Sequence, residues 1–334
     1  MSLLNQILDK AKTTKNRIVL AEGEDLRVLK AAARAQADGL ADCILVGDQK
    51  KIAALAVQNG ISLGSLQLEE PRYSKHYSNY CEYLVELRQH KGLTLDVARE
   101  QVLDPLCFAD LMVSNGNADG SIAGALYTTG DRIRSALKII GVADGFDTVS
   151  SFFLMLFEKR HHDPKRAMIF ADCSLVIEPD SAQLVEIAAA SIEAARGLIN
   201  VPPRVAMLSF STNGSAQHPK VYTVRQATEQ LRRQFPDVAI DGEIQLDAAL
   251  VESVARQKYP ESQVKGEANI LIFPDLGSAN IGYKLVQRLA GAVAIGPILQ
   301  GMKRPANDLS RGCSIDDVYY LIGLTAVQSA VGRD

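Results

Sequence analysis

Residues Ile18–Gly47, IVLAEGEDLRVLKAAARAQADGLADCILVG, decide how this chain folds. Ile18–Ala21 is a short apolar run closed by Glu22-Gly23, the pattern of a strand and its turn. Leu26–Ala37 then places apolar residues at helical spacing, and Cys43–Val46 is a second apolar run ending at Gly47. Strand, helix, strand at this spacing is the repeating unit of a parallel sheet. Upstream, Leu3, Leu4, Ile7, Leu8 and Ala11 predict an opening amphipathic helix. Downstream, residues 78–104 read as helical with a break at Gly92. Leu111-Met112-Val113 and Ile122–Leu126 read as strands around a glycine-rich turn, and Asp131–Ile140 as a helix.

Near Gly141–Gly145 the character changes. Val149–Phe157 and Ala167–Ala171 are apolar runs joined by a polar turn at His161-His162-Asp163-Pro164, which is too short for a crossover and so predicts an antiparallel pair. A helix at about 180–196 follows, with a small-residue stripe at Ala188–Ala190. Val205–Phe210, Tyr222–Phe235, Val238–Ile240, Leu246–Gln257, Ile270–Phe273 and Ile281–Leu289 alternate strand and helix. Ala292–Ile295 adds a strand, and Val318–Val331 a last helix. The expected class is α/β, two halves with mostly parallel sheets joined near residue 145. In such folds ligands gather at the carboxyl ends of strands and between domains. That points to the loops 22–27, 114–120, 127–134, 172–175, 211–217, 274–282 and 296–312.

Composition narrows the function. The chain has 334 residues, a length that favours two domains, and 47% hydrophobic residues, enough for a large core. Its formal charge is -3 with no basic tract, which argues against nucleic acid and membrane surfaces as partners. The five cysteines (Cys43, Cys81, Cys107, Cys173, Cys313) are scattered without a CxxC pair, so neither a disulfide framework nor a zinc site is expected. That usage fits a reducing cytoplasm. Asn5, Asp9, Lys10 and Lys12 interrupt any signal-peptide core, and no apolar run approaches the roughly 20 residues of a membrane span.

The most informative chemistry lies in Asn307–Asp317. A hydroxyl (Ser310), a fixed cation (Arg311), a glycine (Gly312) and a carboxylate (Asp317) precede an apolar helical run, with Ser314 placed to cap it. A helix start offers free N–H groups and positive potential to an anion, so this concentration suggests group transfer on a phosphorylated substrate. Each residue also has a plainer reading: a turn serine, a surface arginine, and for Asp317 the fourth position of a Ser-x-x-Asp capping box, which spacing alone favours. Cys313 reads as a small buried hydrophobe. Arg27, Arg88 and Arg134 stand near predicted helix ends, where a single arginine is ordinarily a solvated charge. Asp131-Arg132-Ile133-Arg134 follows Thr128-Thr129-Gly130, a turn that could present two hydroxyls to a phosphate. Gly277, Gly282 and Lys284 imitate a nucleotide-binding loop, but Tyr283 displaces the lysine and no Ser or Thr follows it. Ser209–Ser215 could shape a small acyl site or be an ordinary polar loop. No GxGxxG or GxSxG motif occurs.

Leu87-Arg-Gln-His-Lys-Gly92, Ser114-Asn-Gly-Asn-Ala-Asp-Gly120, Phe170-Ala-Asp-Cys173, Pro274-Asp-Leu-Gly277 and Pro305-Ala-Asn-Asp-Leu-Ser-Arg-Gly312 together resemble the phosphate acetyl/butyryltransferase family, in the short form of its phosphate acetyltransferases. The resemblance runs from about residue 17 onward. It implies two three-layer α/β domains like those of isocitrate and isopropylmalate dehydrogenases, with the active site in the cleft between them. One domain is then 1–144 plus 301–334 and the other 145–300. It implies a cytoplasmic homodimer that transfers acetyl groups reversibly between coenzyme A and phosphate, with acetyl-CoA, phosphate and acetyl phosphate as its small-molecule partners. No cofactor beyond coenzyme A as substrate, no metal, no nucleic acid and no membrane are expected. By motif position, Asp317 is implied as the base toward the CoA thiol, Arg311 as the stabiliser of the transition state, and Ser310 as a holder of phosphate or the carbonyl oxygen. Arg27, Arg88 and Arg134 are implied in binding CoA or phosphate, and Thr128, Thr129 and Lys284 in phosphate contact. Longer acyl chains (butyryl or propionyl) and a non-catalytic acyl-CoA-sensing module are the alternatives.

Overall fold

A computed structural model describes residues 3–157, 166–198 and 201–331. The chain divides into two compact units, one comprising Asn5–Asp144 with Met302–Asp334, the other Gly145–Gly301 with Met1–Leu4.

The first unit is built on a five-stranded parallel sheet, β1 (Arg17–Leu20), β2 (Asp42–Val46), β3 (Gln67–Glu69), β4 (Gly120–Ala123) and β11 (Ala306–Asp308), in the order β11-β4-β1-β2-β3. Its helices are α1 (Leu3–Thr14), α2 (Leu26–Ala37), α3 (Gln49–Gln58), α4 (Tyr77–Arg88), α5 (Leu95–Gln101), α6 (Pro105–Ser114), α7 (Thr129–Ile139) and α13 (Ile315–Val331). The strand–helix–strand reading of Ile18–Gly47 stands: β1 and β2 pair in parallel, Ile18 beside Cys43 and Leu20 beside Leu45, with α2 as their crossover. Asp25 caps α2 by accepting from the N–H groups of Arg27 and Val28.

Some expectations fail. Leu111-Met112-Val113 is not a strand but the end of α6. Asp104 caps that helix through the Cys107 N–H, and Pro105 occupies its first turn, where the missing N–H costs nothing. Every residue from Leu106 to Val113 is buried, so no polar face marks the helical period. The strand expected at Ile122–Leu126 stops at Ala123.

The second unit carries a six-stranded sheet in the order β10-β5-β6-β9-β7-β8, formed by β5 (Ser150–Phe157), β6 (Arg166–Ala171), β7 (Arg204–Leu208), β8 (Ala239–Ile244), β9 (Ile270–Ile272) and β10 (Val293–Gln300). β5 is antiparallel to both β6 and β10, as the short 158–165 connection requires for the first of these, and the other pairs are parallel. His161 and His162 lie outside the described residues. The helices are α8 (Ser181–Leu198), α9 (Pro219–Gln234), α10 (Leu246–Leu250), α11 (Glu252–Lys258) and α12 (Leu276–Ala290). Val251 is extended and splits the helix expected over 246–257 into α10 and α11. Phe153, Met155, Met168, Phe170 and Leu271 form one apolar face of this sheet, against which Tyr283 and Val286 of α12 pack. The polar loop Ser209–Ser215 folds onto buried Glu243, which accepts from the Ser211 hydroxyl and the Gly214 N–H and pairs with Arg225.

Candidate active site at the start of the last helix

The parallel pairing of β11 with β4 delivers the chain to Asp308, and a tight turn then leads into α13. The Cys313 N–H donates to the Ser310 carbonyl (2.9 Å) and the Gly312 N–H to the Ser310 hydroxyl (3.3 Å). Ser310 and Arg311 are exposed, and the Arg311 guanidinium has no hydrogen-bond or ion-pair partner among the described residues. The capping box forms in full: the Ser314 N–H and hydroxyl both donate to Asp317 Oδ2 (2.8 Å each), and the Asp317 N–H donates to Ser314 Oγ (3.1 Å). Oδ1 of Asp317 has no partner among the described residues, so capping fixes the carboxylate without using it up. The neighbouring Asp316 is already paired with Arg34 (2.7 Å), whose guanidinium lies 3.8 Å over the Tyr319 ring. The structure thus brings Ser310, Arg311 and Asp317 to one helix mouth, as expected.

Two other segments of the same unit are tied to that mouth. Glu22, at the end of β1, is buried, and its carboxylate accepts four consecutive backbone N–H groups: Gly124 (3.0 Å) and Ala125 (2.9 Å) on Oε2, Leu126 (2.6 Å) and Tyr127 (2.9 Å) on Oε1. Leu126 therefore sits in a loop wrapped around a carboxylate, not in a strand. The loop leads to Thr128, which caps α7 through the Asp131 N–H and also donates to Asp131 Oδ2 (2.6 Å). The Thr129 hydroxyl donates to Asp308 Oδ2 (2.8 Å), and Arg134 pairs with Asp131 (2.9 Å). Arg134 and Asp131 also line a cavity of about 340 Å³ with Asp104, Tyr127, Ser135 and Lys138.

Asp308 is 1% exposed, and its Oδ1 has no partner among the described residues. Burial pushes its carboxyl up to about 6, against the pull of the Thr129 hydroxyl and Arg132. Gly124 makes room for it: at φ +117 it adopts a conformation open to glycine, and a Cβ there would meet Asp308 Oδ1 at 2.3 Å. Beneath lies a fully buried pair, Arg132 with both oxygens of Asp110 (2.8 Å each), braced by Ser121, Ser135 and the Asn307 carbonyl.

The remaining expected residues are placed differently. Arg27 is a half-buried tether rather than a solvated charge. Arg88 ends α4 and has no side-chain partner among the described residues. Lys284 belongs to the second unit, on α12, bonded to Asn280 and 5.2 Å from the Tyr283 ring. Burial raises Cys313 to about 11 and holds Cys173 well above the ordinary thiol range, so neither is poised as a nucleophile. Among the described residues no group of His, Cys, Asp and Glu could hold a metal ion. Glu22, Asp308 and the Arg132–Asp110 pair escape sequence reasoning. The available signals were a carboxylate directly after an apolar strand and an Asn-Asp pair two residues before the serine.

The family profile described as phosphate acetyl/butaryl transferase matches residues 2–326. The chain belongs to that family. Phosphate acetyltransferases from Thermoanaerobacterium thermosaccharolyticum and Clostridium acetobutylicum are 47% and 46% identical to it, over 98% and 99% of this chain and the whole of theirs. A phosphotransacetylase from Streptococcus pyogenes has a similar structure, with a TM-score of 0.91 and 40% identity over 98% of each chain. A 4-hydroxythreonine-4-phosphate dehydrogenase from Klebsiella pneumoniae shares the fold alone, with a TM-score of 0.53 and 11% identity over 94% of this chain and 99% of that one. As a family member the chain is an acyltransferase, and its mixed α/β architecture with mostly parallel sheets is the family's.

Proposed function

We propose that this chain is a phosphate acetyltransferase that interconverts acetyl-CoA plus phosphate with acetyl phosphate plus CoA, by direct transfer and without a prosthetic group. The observation that carries the reading is the Arg311 guanidinium, without a partner among the described residues, in the Ser310-Arg311-Gly312 turn at the mouth of α13, near a carboxylate whose second oxygen is likewise without one.

In the direction of acetyl-CoA formation, Asp317 Oδ1 takes the CoA thiol proton as sulfur attacks the acetyl carbonyl. Arg311 and the Ser310 hydroxyl meet the charge that develops on the carbonyl oxygen, and phosphate leaves as the C–O bond breaks. Ordinary thiol and aspartate pKa values differ by roughly 4–5 units, about 6 kcal/mol, so a free thiolate formed ahead of attack is costly and the concerted route is favoured. Two anionic substrates repel one another unless cations neutralise them. Arg88 and Arg134 supply candidate contacts, and Lys284 on α12 is a further candidate; the Thr128 and Thr129 hydroxyls, which donate to Asp131 and Asp308, would have to release those carboxylates to reach a phosphate. The five free, scattered cysteines support a cytoplasmic setting, and a homodimer is the assembly we favour.

The test is thiol release from acetyl-CoA on addition of phosphate, with butyryl-CoA in parallel. Rapid release from acetyl-CoA and slow release from butyryl-CoA is the expected result. The reverse preference would assign a longer-chain acyltransferase, and no release from either would leave the sensing role.

A further inference from the structure

The family resemblance implies Arg27 as a ligand near the CoA phosphates, yet all five of its guanidinium N–H groups are committed to protein acceptors. An arginine side chain offers five N–H donors. Here Nε donates to Asp25 Oδ1 (3.1 Å); one terminal nitrogen donates to the carbonyls of Arg311 (2.7 Å) and Cys313 (3.2 Å); the other donates to Asp25 Oδ2 (2.8 Å) and the Ala125 carbonyl (3.1 Å). The fork on Asp25 is bidentate, which fixes the plane of the guanidinium and leaves its remaining in-plane N–H groups to three carbonyls. Those carbonyls belong to the two segments that form the candidate site: Arg311 and Cys313 in the turn before α13, and Ala125 in the loop wrapped around Glu22.

We infer that Arg27 is a positioning residue, which acts on the reaction by holding the Arg311–Cys313 turn against the 124–127 loop and not by contacting the phosphates of CoA. The inference rests on the proposed acetyl transfer. A cation that reached out to a CoA phosphate would have to release the Arg311 carbonyl, the backbone of the residue that steadies the transition state. Lysine cannot stand in for it, because its three donors radiate from one point and cannot span Asp25 and three carbonyls at once.

The test compares wild type with Arg27→Gln and Arg27→Lys on CoA, 3′-dephospho-CoA and pantetheine as acetyl acceptors from acetyl phosphate. Asp25→Asn is a further variant, since asparagine still caps α2 while losing the bidentate ion pair. We expect each Arg27 variant to lose kcat by about tenfold or more on all three thiols, with the wild-type ratio between thiols kept. Asp25→Asn, which leaves the Arg27 charge in place, is expected to show the same signature at smaller size. A loss confined to the KM for CoA that disappears with dephospho-CoA or pantetheine overturns the inference, as does an Asp25→Asn enzyme with wild-type kcat. If the Arg27 variants do not fold, Asp25→Asn decides alone. Absence of turnover in the wild type would count against acetyl transfer itself, not against the tether.

Discussion

At the scale of single residues, one helix mouth holds side chains with opposite fates. Among the described residues Arg311 has no partner and Arg27 is fully bonded; Asp317 is half used and Asp316 spent on Arg34. Arg311→Lys is expected to lower kcat by about a hundredfold with little change in KM, because one ammonium cannot reproduce a planar two-donor fork at a developing oxyanion. Steady-state kinetics with acetyl phosphate and CoA check this. Asp317 and Ser314 can be separated. Asp317→Asn keeps an acceptor for the cap and loses the base, so turnover should collapse in a protein of near-normal stability. Ser314→Ala should cost about 1 kcal/mol in urea unfolding and retain most activity. The opposite assignment, an active Asp317→Asn enzyme that is merely less stable, would make the carboxylate a cap and nothing more. Asp308 adds a pH signature. Its proton is held up to about 6 in the folded chain against an ordinary 3.8, with Thr129, Arg132, the Leu309 N–H and Glu22 as its surroundings. Between those values the folded state binds more protons than the unfolded one, so this group's contribution to stability falls as pH rises and is flat above the upper value. The stability of Asp308→Asn relative to wild type should therefore grow by roughly 3 kcal/mol across that window, read from urea midpoints at several pH values.

At the scale of elements, the site depends on three strand ends of one sheet. β1 supplies Glu22, β4 the loop wrapped around it, and β11 the approach to Ser310. Gly124→Ala would drive a methyl group into Asp308 and the Leu309 backbone at a positive φ, and should abolish activity even if the fold survives, as circular dichroism and the CoA-release assay would show together. How much of this was legible depends on the range of the interaction. The run Ile18–Ala21 with Glu22-Gly23 declares a strand and its turn because the signal is local. The Ser314-x-x-Asp317 box declares a helix start for the same reason. Leu111–Val113 misleads because a helix buried on all sides shows no period. β11 is hidden because Asn307 and Asp308 are polar residues in a buried strand. The grip of Glu22 on residues more than a hundred positions away has no local spacing at all.

At the scale of the whole molecule, the first unit is assembled from two distant stretches of chain, Asn5–Asp144 and the segment from Met302 onward, and the bulk of the second, Gly145–Gly301, lies between them. Composition read in order shows only a change near residue 145; the return of the chain after residue 301 is what the family resemblance implies, and the pairing of β11 with β4 is the contact that makes it. In the second unit burial works against ionisation of Glu243, but Arg225, the Gly214 N–H and the Ser211 hydroxyl hold its carboxyl at about 2. That stabilisation is present above the ordinary glutamate value and is lost as pH falls through it toward 2. Glu243→Gln should cost roughly 3 kcal/mol near neutral pH, with amide-exchange protection falling in residues 145–301 more than in the other unit. The account as a whole rests on direct transfer at the mouth of α13. Its sharpest test is a single-turnover experiment with acetyl phosphate labelled in its acetyl group, quenched and resolved into protein and small molecules. The account predicts that label passes to CoA only when CoA is present, with none attached to protein at any time, and that Arg311→Lys slows the transfer. Label bound covalently to the protein in the absence of CoA would contradict it.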